Sequence, residues 1–600
     1  MPIYVSASTG IDFYKDTFNT IFPNLNPTSP TSPLATISRA LELLKSGTIT
    51  PTSADETIIL EDGVYRESVI VPQDFMNIPN LNSLKITSIN QNAGKCVITG
   101  ADILTTPALC NADLNNVPIS PYFKIKNCTK FKVNPNLTID YKKIVNSSIT
   151  EGWDYMGDHT YRIKKWEYIF SEEDLAVIQK ARKDHFIEGN KNGFLTSYAL
   201  KSQIRKNFSE RQIWILPRFQ NQKNGPVDLR DNSNIPSLHP GQEIHQVFEL
   251  ADLRPGTFFV SYQNDEENSD VLWTTGFPDG VYIKLPNHLQ PSIIPAIFEE
   301  YAILVSKRPK CLRVEASNVS IEYIGFHLSA APILTGGVEA IGNKITFLHC
   351  VSQWQRGFGF VSHGIENHFI SSRASYNSQE GMVFGNNCES SIICSNITNN
   401  NSLAYRYLNI LPTTHSNNIA YPGYSNGGLI IKGGAGHIVI NHTSTDNLGN
   451  GIWADFAAKI RIFGGVVEGN MGSGITIERT SDYFEVAHTT VKNNFGPGIR
   501  VEGENCYIHH CNISGNKRDG IAVSVDKDLN NNPVPTIAWI LHNTLVGNYR
   551  GIGIVGDPNL NTHCVGNIVT CCFAEGIYLL VGTYSQMYIY DNLFYWKRST

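Results

Sequence analysis

The second half of the chain alternates apolar and polar positions in short runs, separated by Gly and Asn. Aligned on their turns, NLGNGIWADF, NMGSGITIER, NFGPGIRVEG, NKRDGIAVSV and NYRGIGIVGD fall under one another. Their asparagines, Asn447, Asn470, Asn494, Asn516 and Asn548, are spaced by 23, 24, 22 and 32 residues, and the last step contains DKDLNNNPVP. A period of two with frequent β-branched residues predicts strands. A repeat of this length with Gly and Asn at its corners predicts a solenoid, each coil holding about three short strands at roughly 3.3 Å per residue. The expected fold is all-β, a parallel β-helix. A leucine-rich repeat is the competing solenoid, but its Leu/Asn consensus is missing. Less regular coils, VSIEYIGFHLSAA, ITFLHCVSQWQRGFGFV and HFISSRASYNSQEGMVF, carry the pattern back to about residue 311.

Near the N-terminus, IYVSASTGIDFYKD is followed by PLATISRALELLKSG and ETIILEDGVYRESVIV. Ile37, Leu41 and Leu44 have helical spacing, which predicts a helix capping the open end of the core. First coils then run through KITSINQNAGKCVITGAD. Residues from about 106 to 305 lose the period. They contain a helical-looking SEEDLAVIQKARKD, long polar loops, and a strand-turn-strand pattern in GTFFVSYQN and GVYIKLP. The expected division is therefore 1–105 for cap and first coils, 106–305 for an inserted β-rich domain, and 306–600 for the main β-helix.

Composition adds exclusions. A net charge of -6 gives no basic footprint, so nucleic acid is not an expected partner. PIYVSASTGIDFYKD has neither a basic n-region nor an apolar h-region, and no apolar run reaches membrane-spanning length, so no membrane is expected and the location reads as cytoplasmic or virion-associated. The 12 cysteines are scattered without a CxxC or a close Cys/His cluster, and read as buried thiols.

Candidate chemistry emerges when each repeated strand is counted from the Gly before it: Gly428, Gly451, Gly474, Gly498 and Gly520. Positions one and three are aliphatic and point inward (Leu429/Ile431, Ile452/Ala454, Ile475/Ile477, Ile499/Val501, Ile521/Val523). Positions two and four point outward and differ (Ile430/Lys432, Trp453/Asp455, Thr476/Glu478, Arg500/Glu502, Ala522/Ser524). With coils stacked about 4.8 Å apart, Lys432, Asp455, Glu478 and Glu502 form one ladder. A charged strand face is ordinarily just a solvated face. Three carboxylates on consecutive rungs, however, repel one another and weaken pairing, which points to chemistry.

The spacing selects the chemistry. Asp455 and Glu478 on adjacent rungs stand roughly 5 Å apart, the separation of a retaining glycosidase, whereas Asp455 and Glu502 at roughly 10 Å lie at or beyond the inverting range. Lys432 beside Asp455 favours an ionised nucleophile, and Glu478 between two carboxylates is placed to hold a proton as general acid. Trp453 is a candidate for stacking on a sugar ring, or else packs beneath a loop. Arg500 and Glu502 are candidates for binding hydroxyls. The irregular NNNSLAYRYLNILPTTHSNNIAYPGYSN just before the column is expected to wall the cleft, with Tyr405, Tyr407, Tyr421 and Tyr424 as aromatic candidates.

On these residues the chain resembles the right-handed parallel β-helix enzymes of glycoside hydrolase family 120, typified by β-xylosidases, and related β-helix proteins. YVSASTG...PLATISRAL...ETIILEDGVYRESV, the place of the large insertion, and GNGIWADF through GITIERTSDY carry the resemblance. It implies a Trp-x-Asp strand whose Asp is the nucleophile and a Glu acid/base one coil later, roles that fall on Asp455 and Glu478. It also implies a β-sandwich-like insertion shaping the pocket. Lys432 and His437, in IKGGAGH, stand where other polar pocket residues are expected and join the substrate-binding candidates. The implied substrate is a xylo-oligosaccharide or another polysaccharide-derived sugar, and no cofactor is needed.

Two other readings use the same fold. A polysaccharide lyase or uronate epimerase would take Lys432 or Arg500 as base, with Asp455, Glu478 and Glu502 holding Ca²⁺ against a uronate carboxylate. A phage tailspike-type protein would use the β-helix as a carbohydrate-binding or depolymerising stalk, and would be a homo-oligomer, specifically a trimer.

Overall fold

The structure, a computed structural model, describes residues 2–8, 33–51, 54–104, 308–331, 335–385, 387–401, 427–478, 481–525, 535–556, 560–581 and 586–595, with further strands at 124–125, 149–150, 153–157, 160–163, 213–217, 242–247, 257–262, 278–284 and 301–306. It separates into two compact units. One comprises Met1–Ile98, Lys310–His327 and Leu334–Thr600; the other comprises Thr99–Pro309 and Leu328–Ile333.

The first unit is the solenoid. Its strands assemble into three parallel sheets of 14, 13 and 12 strands, here called sheets I, II and III respectively. A single coil visits III, I and II in turn: Gly427–Lys432, Ile438–Ile440 and Thr443–Thr445 are followed by Asn450–Asp455, which pairs with the first of them in parallel. Side chains facing the axis make one continuous apolar core from Ile3 to Cys572. The repeated aliphatics predicted to point inward do so, since Leu429, Ile431, Ile475, Ile477, Ile499, Val501 and Ile521 are fully buried.

The corners explain why the repeat keeps Asn and Gly. Asn377, Asn401, Asn447, Asn470, Asn494, Asn516 and Asn548 stack inside the coil, each of the first six donating from Nδ2 to the Oδ1 of the Asn one coil on, at 2.9–3.0 Å. The same Oδ1 accepts a backbone N–H, for example Asn447 N to Asn470 Oδ1 at 3.1 Å. Buried turn amides are thus satisfied without water. Beside this ladder there is no room for a side chain at Gly451: a Cβ there would lie 2.4 Å from Val467 Cγ1 and 2.7 Å from Asn470 Nδ2.

At the other end of the solenoid, the predicted helix runs over Ile37–Lys45, with Thr36 as N-cap accepting from the Arg39 amide at 3.2 Å. Glu67 accepts from the amides of Ile37 and Ser38 at 2.9 and 3.0 Å, an anion at the positive end of the helix dipole. Ile37, Leu41 and Leu44 are buried, as their spacing requires.

In the second unit the described strands form an eight-stranded, mainly antiparallel sheet, with one parallel pair between Gln242–Val247 and Thr257–Tyr262. The predicted strands in GTFFVSYQN and GVYIKLP appear as Thr257–Tyr262 and Pro278–Lys284. SEEDLAVIQKARKD lies outside the described residues. No disulfide forms among the described cysteines, and eight of them are buried. No described helix is long and apolar enough to cross a membrane.

Candidate carboxylate column on sheet III

Sheet III brings the candidate residues together through register. Lys432 pairs with Asp455, Ile430 with Trp453, Trp453 with Thr476, and Thr476 with Arg500. Beyond the short strands the pairing continues: the Glu478 amide donates to Ala454 O at 2.9 Å and the Glu502 amide to Ile477 O at 2.8 Å. Lys432, Asp455, Glu478 and Glu502 therefore occupy four successive rungs at one position. Ser524 follows them, with its Oγ donating to Glu502 Oε1 at 2.8 Å. Gly385 precedes Lys432, and before it comes His363, whose ring occupies the space a side chain at Gly385 would need.

This face is not a solvated one. Asp455 is 7% exposed, Glu502 3% and Thr476 1%, although all point away from the coil axis. Trp453 is only 3% exposed and joins Phe358, Val361, Val383 and Ile430 in an apolar cluster on the outward side. The loop that Trp453 is expected to pack beneath lies outside the described residues. The Trp453 indole N–H lies near enough to Glu478 to favour the ionised carboxylate.

Electrostatics distinguish the carboxylates. The Glu478 pKa is raised, chiefly by burial and next by the negative charge of Glu502, with Asp455 adding in the same direction; Arg500 and the Trp453 indole oppose the rise. Glu502 is held differently. Arg500 Nε donates to its Oε1 at 2.9 Å, an Arg500 terminal nitrogen makes a second contact with that oxygen, and Arg500 Nη1 stands 3.8 Å from Glu478 Oε1. Arg500 thus bridges two rungs while its side chain remains 42% exposed. The arrangement offers a protonatable acid, Glu478, next to a second carboxylate, Asp455, with an accessible cation alongside.

Sequence reasoning missed one acid. Glu380, in SYNSQEGMVF, is withdrawn from solvent, and its Oε2 has no hydrogen-bond partner among the described residues. Burial pushes its pKa up to about 8, against smaller opposing effects from its own backbone amide and from Lys432. The signal was available, because Glu380 immediately precedes Gly381, the same register as Asp519 before Gly520.

His437 is a correction. It is fully buried, with its ring 5.7 Å from that of Phe384 and its Nδ1 accepting from the Ser391 amide at 3.3 Å, and burial lowers its pKa to about 4. The corner Gly433–Gly436 resets the alternation, and counting back from the inward Val439 places His437 inside the coil. It lines the core and not the outward face. Tyr405, Tyr407, Tyr421 and Tyr424 lie outside the described residues. Among the described residues no group of three or more His, Cys, Asp or Glu converges as metal ligands would. The column carboxylates lie in a line along the axis and do not enclose a point.

Comparison with known proteins addresses the fold. The family described as "Right handed beta helix region" matches residues 413–534. The solved structure of XylC in complex with xylose is similar over 100% of this chain and 86% of its own, at 11% identity and a TM-score of 0.52. An Azotobacter vinelandii mannuronan C-5 epimerase, the AlgE6 A-module, covers 48% of this chain and 84% of its own at 15% identity and a TM-score of 0.37. No curated protein matches in sequence. The family match and the likeness to XylC, together with the three parallel sheets, establish the fold as a right-handed parallel β-helix.

Proposed function

We propose that this chain is a retaining glycoside hydrolase in which Asp455 is the nucleophile and Glu478 the acid/base. The observation that carries the reading is the pair itself: two carboxyl groups on adjacent rungs, with the second biased toward its protonated form. One strand separation, about 4.8 Å, is close to the roughly 5–5.5 Å between the two carboxyls of retaining enzymes. In the first step Glu478 gives its proton to the glycosidic oxygen as Asp455 attacks the anomeric carbon. In the second, Glu478 takes a proton from water, which releases the sugar from Asp455. Arg500 is placed to hold Glu502 and to reach a substrate hydroxyl. The xylose bound by the structurally similar XylC suggests a xylo-oligosaccharide or a related sugar as substrate. A panel of aryl glycosides tests this reading: turnover with retention, lost in Asp455→Asn, supports it, and undiminished turnover in both Asp455→Asn and Glu478→Gln would falsify it.

A second reading rests on Lys432 and Arg500 at the two ends of the carboxylate pair, cations that a polyuronate would engage in a lyase or epimerase. An ultraviolet-absorbing unsaturated product from a polyuronate would decide for it. The linear placement of Asp455, Glu478 and Glu502 does not favour the Ca²⁺ cage that such chemistry would use here.

A further inference from the structure

Another corner of the same coils, between sheets I and II, carries a concentration of imidazoles that the carboxylate column does not use. The corner residue on successive coils has positive φ: Asn441, Gly464, His488, His510, His542 and Gly566, between 50° and 67°. On three consecutive coils that corner residue is an imidazole. His509, the strand residue beside His510, adds a fourth.

The rings are close. Centroids are 5.2 Å apart for His488 and His510, 5.2 Å for His509 and His510, and 6.2 Å for His488 and His509, while His542 lies 5.5 Å from His510. Imidazoles bound to one tetrahedral ion at Zn–N of about 2.0–2.1 Å have centroids about 5.2 Å apart. Two of the three separations already have this value, and the third is 1 Å longer.

His509 is also oriented as a ligand would be. Its Nε2 is 3.1 Å from Glu485 Oε1, and a carboxylate can only accept, so Nε2 carries the proton. In the neutral ring that leaves Nδ1 as an acceptor, which takes a hydrogen bond from His510 Nδ1 at 2.9 Å; a bound ion would displace that His510 proton to water and engage both nitrogens. A carboxylate behind a histidine, fixing its tautomer and direction, is the usual outer support of a metal-bound imidazole.

We propose that His488, His509 and His510, with Glu485 orienting His509, bind a divalent transition-metal ion of the kind imidazole prefers, such as Zn²⁺ or Ni²⁺. Their donor nitrogens do not yet converge. His488 and His510 are exposed and free to turn about their side-chain bonds, unlike the buried carboxylates of sheet III. His542 is within reach as an alternative fourth ligand to water. Ca²⁺ and Mg²⁺, which take oxygen ligands, are not expected to bind.

The test is calorimetric titration of the full, untagged chain with ZnCl₂ and NiCl₂, with CaCl₂ as control. One saturable ion per chain is expected for Zn²⁺ and Ni²⁺. Glu485→Gln should weaken that binding by roughly 10–100-fold, the scale of a lost outer-shell partner. His510→Gln and His488→Gln should weaken it further, and Asp455→Asn should leave it unchanged. Metal-free thermal midpoints equal to wild type show that each variant is folded, and two separate His variants guard against failure of one. Absence of binding, or binding unchanged in both His variants, overturns the proposal.

Discussion

Position four of sheet III holds Asp455, Glu478 and Glu502 on one stretch, and Ser524, Val555 and Leu580 on the next, along one unbroken run of parallel pairing. Beneath both stretches the core is the same: Ile475, Ile499, Ile552 and Ile554 are fully buried. On the outward side the ordinary distribution is inverted. Asp455 and Glu502 are 7% and 3% exposed, whereas Val555 and Leu580 are 38% and 59% exposed. Withdrawing carboxylates from water is costly unless they are paired or hydrogen-bonded, and the solenoid does not need them, because the next coils stack equally well without them. A repeat fold separates what holds the chain together from what the chain does, and here the two populations sit on opposite sides of the same strands.

The sharpest way to break this comparison is to change charge without changing shape. Asp455→Asn should cut turnover of an aryl glycoside by about 10,000-fold or more, as expected for loss of a nucleophile, while leaving the thermal midpoint near that of the wild type. Glu478→Gln should cost about 100–10,000-fold, the range for a general acid or base. The loss should be smaller for substrates with good leaving groups, which need less protonation. With azide present, the Glu478→Gln enzyme should form a glycosyl azide, since azide needs no general base.

A change on the scaffold side should show the reverse signature. Asn470→Ala would leave the Asn447 amide without its acceptor and Ser444 O without its donor, while the Asn447 side-chain nitrogen would keep Thr398 O and Ser444 Oγ. At roughly 1–3 kcal/mol for each of the two buried polar groups left unpaired, the loss should reach about 2 kcal/mol or more. It would be read as a fall in the thermal midpoint. If Asn470→Ala were as stable as wild type, the asparagine ladder would be incidental to coil stacking.

The scaffold was legible in the sequence because each repeated residue has a local stacking reason: Asn satisfies the corner amides, Gly leaves room beside it, and aliphatics fill the axis. The column was legible for the same reason, since its residues are counted from the repeat. Its burial was not. That Trp453 packs with Phe358, Val361, Val383 and Ile430 depends on side chains from three other coils, none predictable from the Trp-x-Asp pattern alone. His437 was misread because a four-residue corner with glycines at φ of 76–78° breaks the parity that strand counting relies on. Glu380 was passed over because SYNSQEG looks like a polar turn until it is set against Asp519.

Protonation offers finer tests. Glu380 binds its proton with a pKa of about 8 in the folded chain, against 4.5 as the ordinary value. Between those values the folded state holds a proton that the unfolded state has released, so this group stabilises at low pH and its contribution is lost as pH rises toward about 8. Glu380→Gln should flatten that decline in the thermal midpoint. Under the proposed mechanism Glu478 must be protonated to act, so activity should fall as pH rises through its raised pKa. Glu502→Gln removes a charge that raises this pKa and releases Arg500 toward Glu478, so the alkaline limb of kcat should move to lower pH. Arg500→Met removes a charge that lowers it, so the limb should move to higher pH. Shifts of the same sign in both variants would refute the assigned electrostatics.

The smallest effect should come from copying the chemistry into the silent stretch. Val555→Asp puts a carboxylate at position four, on the rung after Ser524, where the side chain is already partly exposed. The strand should lose no more than about 1 kcal/mol, the span of β-propensity at such a site. Three rungs separate this position from Glu478, about 14 Å at the usual strand spacing. That exceeds the screening length of about 10 Å in 0.1 M salt, so the pH profile of turnover should not move. Burial should raise the new Asp less than it raises Glu478, because position four is more open here. A displaced pH profile, or a midpoint lowered as far as by Asn470→Ala, would mean that the two stretches are not independent. The inversion of burial along the column would then reflect a constraint of the whole solenoid and not the presence of a site.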